Sequence, residues 1–215
     1  MSTTTEQRPV PAPDAAFSSL ASDETVERTA AALRARGFDV HVVDSHDGAR
    51  DLILGMVPAG AEVSSGASVT LDQLGVTAEI EGSGRYDALR PRLRAMDRAT
   101  QGREIRKLGA APDVWLNSAN ALTEDGRLVF ASFGGSQLGP IANGAGRVIL
   151  AVGTQKIVAD LDAALRRIDA YVFPLEDARL MEAYRMHTAT NKILVLQGDR
   201  PGRTTVVLVR EAVGN

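Results

Sequence analysis

Three loops of the sequence gather side chains able to hold an anion or move a proton, and each follows a run of β-forming residues. The first is NSANALTEDG, residues 117–126, directly after the apolar VWL. Its amides, hydroxyls and carboxylates can hydrogen-bond an anionic or sugar-like ligand. Part of it has a simpler structural use, because Asp125-Gly126 is a standard pair for a type I′ hairpin turn. No turn needs Ser118 or Asn120, so these are the stronger ligand-binding candidates. Thr123 and Glu124 are placed to orient a ligand, and Glu124 is the carboxylate nominated as general base.

The second loop is SSGAS, residues 64–68. Between a strand and a helical turn, its backbone N–H groups can face a phosphate or carboxylate, with Ser65, Gly66 and Ser68 supplying the contacts. Small residues serve tight strand-to-helix packing equally well, and Ser68 or Thr70 can simply cap the helix that follows. The third is the glycine-rich FGGSQLGPIANGAG, residues 133–146, which matches neither the dinucleotide fingerprint nor the P-loop. It reads as a surface loop or a ligand lid. Lys192, after Asn191, and Lys156, after VILAVGTQ, can each neutralise a ligand charge; solvation is the commoner state for either, and Lys192 is the one assigned that role. His41, His46 and His187 match no metal motif, so no metal site is expected, and His187 is a minor candidate for acid–base work.

Composition narrows the partners. A net charge of -3 without a basic stripe, and only 4% aromatic residues, argue against a nucleic-acid surface and require an aliphatic core. With no cysteine, the chain itself holds no disulfide, thiolate zinc site or Cys-ligated iron–sulfur cluster. The opening residues lack the apolar core of a signal peptide, and no run approaches the roughly 18–20 apolar residues of a membrane span. A cytoplasmic protein without a membrane span is expected.

The elements that must position these loops follow from periodicity. Residues 1–16, with Pro9, Pro11 and Pro13, read as a flexible lead-in, and residues 17–215 as one domain. Ser22 or Asp23 caps a helix that Gly37 ends, and FDVHVVD is a strand. A short helix over 50–56, a short strand over 61–63 and a helical turn over 70–74 come next. Helix over 86–106 carries Pro91 and Gly102, which imply a break. Strands are expected at 113–116, 128–130 and 148–152, and helices at 157–168 and 174–184. The runs 193–196 and 205–209, joined by QGDRPGRT, read as an antiparallel hairpin. This alternation predicts an α/β fold, a mostly parallel sheet with helices on both faces and the hairpin added at its end. In such sheets ligands sit beyond the carboxyl ends of the strands, so the three loops form a site if they converge there.

Four blocks in order, VSSGASVTLDQLG, DVWLNSANALTEDGRLV, GRVILAVGTQKIVADLDAALRRI and NKILVLQGDRPGRTTVVLVREAVG, resemble the lactate-utilisation (LUD) domain over residues 62–214. The resemblance implies a fold of the ribose-phosphate isomerase and CoA-transferase group. It also implies a role in oxidising L-lactate to pyruvate beside iron–sulfur partner proteins, this chain being the cluster-free member and needing no cofactor of its own. Many relatives carry an Asp-Gly-x-Gly-Asn-Arg type loop where this chain has residues 132–138, with Gln137 as the available amide, and often Asn-Lys in place of Gln155-Lys156. A small anionic ligand is the expected occupant of the loops. A non-catalytic assembly subunit of a redox complex, or an isomerase- or transferase-like enzyme outside lactate metabolism, are the other readings the sequence leaves open.

Overall fold

The computed structural model describes residues 10–215, so most of the lead-in expected over 1–16 lies outside the described residues. Within it, the Asp14 N–H donates to the Ala170 carbonyl at 2.9 Å, and a 3-10 turn follows at Ala15–Ser18.

The strands are β1 (Asp39–Val43), β2 (Glu62–Ser65), β3 (Asp87–Ala88), β4 (Val114–Asn117), β5 (Ala121–Thr123), β6 (Leu128–Ser132), β7 (Arg147–Gly153), β8 (Ile157–Val158), β9 (Lys192–Leu196) and β10 (Thr204–Val209). The α-helices are α1 (Asp23–Ala35), α2 (His46–Met56), α3 (Val69–Gln73), α4 (Val76–Gly82), α5 (Leu89–Ala95), α6 (Gly102–Ala110), α7 (Leu161–Arg167) and α8 (Phe173–Tyr184). Ser22 caps α1 by accepting from the Thr25 N–H, and Gly37, at φ 89°, takes the left-handed position that ends it. The break expected in 86–106 separates α5 from α6, and Pro91 sits in the first turn of α5, where no helical N–H is lost. Pro140–Gly144, in the glycine-rich loop, forms one π-helical turn.

Six strands form a parallel sheet in the order β1-β10-β7-β4-β2-β3. A second, mixed sheet has the order β8-β5-β6-β9. Alternate residues of the central strands point to opposite faces. Ile149, Ala151, Val207 and Val209 pack with Ile53, Leu71, Val76 and Ile80 of α2, α3 and α4. Val148, Leu150, Val152, Val206 and Leu208 pack with Val26, Ala30 and Leu33 of α1 and with Leu122, Leu128 and Phe130 of the second sheet. One face is therefore covered by helices, and the other by α1 and the second sheet together. The outer side of that sheet meets α7 and the turn after it, with Ala121 and Val129 against Ala164 and Ile168.

The α/β class and its mostly parallel sheet are as the sequence predicts, but the C-terminal pair is not a hairpin. β10 is buried at every residue and lies between β1 and β7, parallel to both, as a run of apolar and β-branched residues should in a doubly covered sheet. β9, half exposed, pairs antiparallel with β6 at the edge of the second sheet. The helix expected from residue 157 starts at Leu161, because Ile157 and Val158 pair with β5 and Asp160 is the residue that caps the helix. Among the described residues, no helix is long and apolar enough to cross a membrane.

Candidate functional site

The chain leaves β2 toward β3 on one side and leaves β4 toward β7 on the other, so the gap between β2 and β4 is a point where strand order reverses. Loops part there and open a crevice beyond the carboxyl ends of the strands. Since β4 lies between β7 and β2, the loops after all three strands meet at that crevice. It holds a cavity of about 280 Å³, lined by residues 66–70, 117–120, 131–134, Ser136, Gln137 and Lys156, with a wall from α8 and the turns around it.

Lys156 forms the buried polar centre. β7 ends at Gly153, where Gln155 folds back so closely that a Cβ on Gly153 would lie 2.1 Å from Gln155 Oε1. Gln155 Nε2 donates to the Val213 carbonyl at 2.8 Å, which fixes the 3-10 turn Thr154–Lys156 and turns Lys156 inward. The lysine is 2% exposed, and its Nζ donates to Thr70 Oγ1 and to Ser118 Oγ, each at 3.0 Å. Burial pushes its pKa down to about 7, assisted by the positive charge of Arg167. Among the described residues no carboxylate lies within 4 Å of its Nζ to pair with it.

Arg167 is a second buried cation, fully inaccessible to solvent. It donates to the Asn120 carbonyl, and its guanidinium carbon stands 5.1 Å from the Tyr171 ring centre. Among the described residues, its Nε and Nη2 have no hydrogen-bond partner. Burial lowers its pKa to about 10, against the raising influence of Tyr171. Among the described residues neither of these buried cations is paired with a carboxylate, which leaves the floor of the cleft electropositive.

Opposite Lys156 stands an amide cluster. Asn117 Nδ2 donates to Gln137 Oε1 at 3.1 Å, and Gln137 Nε2 donates to the Ala131 carbonyl at 2.9 Å. The Ala131 N–H donates to Asn120 Oδ1 at 2.7 Å, so Asn120 also holds the β5–β6 hairpin. Gly66 approaches this cluster so closely that a Cβ there would lie 2.8 Å from Gln137 Oε1. The facing wall is apolar, with Ile168, Val172, Phe173 and Leu180, and its Glu176 is bonded to Arg179 at 2.6 and 2.8 Å. Residues 188–190 complete it, pinned to α8 through Asp177. That carboxylate accepts from the Thr188 N–H at 2.7 Å and bonds His187 Nδ1 at 2.8 Å. Burial opposes its charge, but these bonds hold its carboxyl below the usual range.

Of the residues singled out from sequence, Gly66, Ser68, Ser118 and Asn120 line the cleft. Ser68 also caps α3, accepting from the Leu71 N–H at 3.3 Å. Ser65 is bonded to Arg90 Nη1 at 3.4 Å and lies outside the lining. Thr123 is fully buried in β5 and donates to Asp125 Oδ1. Glu124 stands in the turn beyond, accepting from Arg28 Nη2 at 2.9 Å. Lys192 is exposed at the start of β9, where it donates to the Phe133 carbonyl at 3.3 Å behind the cleft rim. The turn at 124–126 is not type I′: Asp125 has no positive φ, and Gly126 alone, at 87°, takes the left-handed position of a three-residue bulged hairpin.

Lys156 and Thr70 have more central places than the sequence assigned them. The available signal was position: Lys156 follows the most apolar strand by three residues, at the strand end where ligands bind in open sheets.

A family model of the LUD domain matches residues 26–211. No curated protein matches the chain. Among solved structures it is similar in fold to a DUF162 family protein from Deinococcus radiodurans, with a TM-score of 0.56 and 12% sequence identity, over 89% of this chain and 99% of that one. The family match spans most of the chain, every strand included, and on that ground the chain belongs to the LUD domain family.

Proposed function

We propose that this LUD domain binds a small anionic organic acid in the cleft after β2, β4 and β7, and serves lactate or related organic-acid utilisation in the cytoplasm. In this reading it works with iron–sulfur partner proteins that carry the redox chemistry of L-lactate oxidation to pyruvate. The observation that supports it is Lys156, a nearly inaccessible amine with two hydroxyl partners and no carboxylate. An anion entering the cleft supplies the missing countercharge. At about 4 Å and an effective dielectric near 20 the gross attraction is about 4 kcal/mol, enough to offset part of the burial cost of the ammonium.

Lys156 neutralises the ligand, Ser118 and Thr70 hold the amine in place, and the Asn117–Gln137 amide pair with Ser68 orients the ligand's oxygens. The apolar wall of α8 excludes water from the opposite side. Glu124, paired with Arg28, is given a turn role. Thermal unfolding with lactate, pyruvate, a sugar phosphate and a CoA ester tests this. At a ligand concentration of about 100 Kd the stabilisation reaches about 2.7 kcal/mol, visible as a raised Tm. At least one of these anions is expected to raise the Tm of the native chain and to leave that of Lys156→Met unchanged. No rise with any of them, on folded protein, contradicts the proposal.

A further inference from the structure

We propose that Lys156 is a carbonyl-trapping amine, which forms an imine with a 2-oxo carboxylate or a similarly small anionic aldehyde bound in the cleft. The inference rests on the anion-binding reading above and adds a covalent step to it. Its first support is the choice of residue. Of 24 basic residues only three are lysines, Lys107, Lys156 and Lys192. Lys107 and Lys192 are exposed, and the third sits at the buried centre of the cleft. Where charge alone is needed, arginine is the better carboxylate ligand, with its planar fork of donors. An amine is required where nitrogen must lose a proton and attack.

The surroundings suit that step. With no carboxylate within 4 Å, no ion pair holds the amine in its ammonium form, and burial favours the neutral one. The Ser118 and Thr70 hydroxyls, each 3.0 Å from Nζ, both accept and donate hydrogen bonds, so they can pass a proton between nitrogen and a neighbouring oxygen. The ammonium gives up a proton, which the hydroxyl pair relays to the ligand's carbonyl oxygen as it is attacked. The Nζ lone pair then forms a bond to the carbonyl carbon, and the C=O π pair moves to oxygen, which is protonated. A second proton, from the nitrogen, lets that oxygen leave as water while the C=N bond forms. Counted from ammonium and carbonyl compound, the products are a protonated imine and one water, with no net exchange of protons and no oxidant or reductant. The iminium keeps a positive charge beside the ligand's carboxylate, and the buried Arg167 adds a positive field from behind Asn120.

Incubation with pyruvate or glyoxylate followed by sodium borohydride, with intact mass and peptide mapping, tests the step, and calorimetry with pyruvate runs beside it. The expected result is one reduced adduct per chain, located on Lys156, for both carbonyl compounds and none for lactate. Lys156→Arg is expected to lose the adduct while still binding pyruvate. Because only three lysines exist, the native chain alone gives a decision even if that variant does not fold. Binding of pyruvate with no adduct, or an adduct on Lys107 or Lys192, overturns the imine and leaves the anion site standing. Absence of both binding and adduct overturns the anion site as well.

Discussion

The Lys156 amine and the Ser118 hydroxyl meet at 3.0 Å, which ties the turn after β7 to the loop after β4 across the floor of the cleft. Each residue sits just past a buried strand end, so the bond reports the register of two neighbouring parallel strands. Replacing Ser118 with Ala leaves the lysine with Thr70 as its remaining partner. Urea denaturation is expected to show a loss of about 0.5–1.5 kcal/mol, the usual net value of one such hydrogen bond. Calorimetry is expected to show weaker pyruvate binding by the variant; unchanged binding would remove Ser118 from the site.

Burial of Lys156 makes stability depend on pH in a definite direction. The unfolded lysine titrates near 10.5 and the folded one at about 7. Below pH 7 both states carry the proton and the cost of the buried ammonium is fully felt. Between 7 and 10.5 the unfolded state binds more protons, so this residue's contribution rises with pH by up to about 1.4 kcal/mol per unit. Lys156→Met is therefore expected to be more stable than the native chain at pH 6, with the advantage shrinking toward pH 10. A difference independent of pH, in denaturation at several pH values, would refute the assigned burial. Affinity for a carboxylate should also fall as pH rises above 7, where the free amine loses its charge.

Gly66 is held to glycine by proximity. A methyl group there would lie 2.8 Å from Gln137 Oε1 and 3.1 Å from both side-chain heteroatoms of Asn117. Because those atoms end mobile side chains, the chain should still fold, with a loss of about 1–3 kcal/mol as the amide pair is displaced. Gly66→Ala is expected to impair ligand binding more than stability, which a Tm series with and without pyruvate would resolve. A variant that binds normally would show that the Asn117–Gln137 pair does not orient the ligand.

The turn at 124–126 offers a contrast. Glu124 and Arg28 are paired at 2.9 Å with side chains 38% and 51% exposed, so Glu124→Gln should cost less than about 1 kcal/mol and leave ligand binding intact. Gly126, by comparison, has a φ of 87° and no room, since a Cβ would lie 2.8 Å from the backbone of Ala32 and Leu33. Gly126→Ala is expected to destabilise by about 1–3 kcal/mol from backbone strain, and further as α1 is pushed away. Lost ligand binding in a folded Glu124→Gln would return Glu124 to the site.

The longer strands and most helices were legible because periodicity and caps are local: Ser22 and Gly37 bracket α1, and VILAV is a strand in any reading, whereas the short β3, β5 and β8 fell within stretches read as helix or loop. Pairing was less legible. TTVVLV stands near KILVL in sequence, but its burial on both faces sends it to the centre of the larger sheet, and only the partners β1 and β7 decide that. Ser118 and Gly66 could be singled out since their strand-end positions show in the sequence. Lys156 shows as a strand-end candidate in the same way, but its burial does not, because its partners Thr70 and Ser118 stand 86 and 38 residues away. Glu124 drew attention by its chemistry, but its partner Arg28 is 96 residues distant.

Titration calorimetry of pyruvate and lactate into the native chain and into Lys156→Met at pH 6 tests the central claim most directly. The anion site predicts saturable binding by the native chain at one site per chain, lost in a folded variant. Equal binding by the two proteins would contradict it.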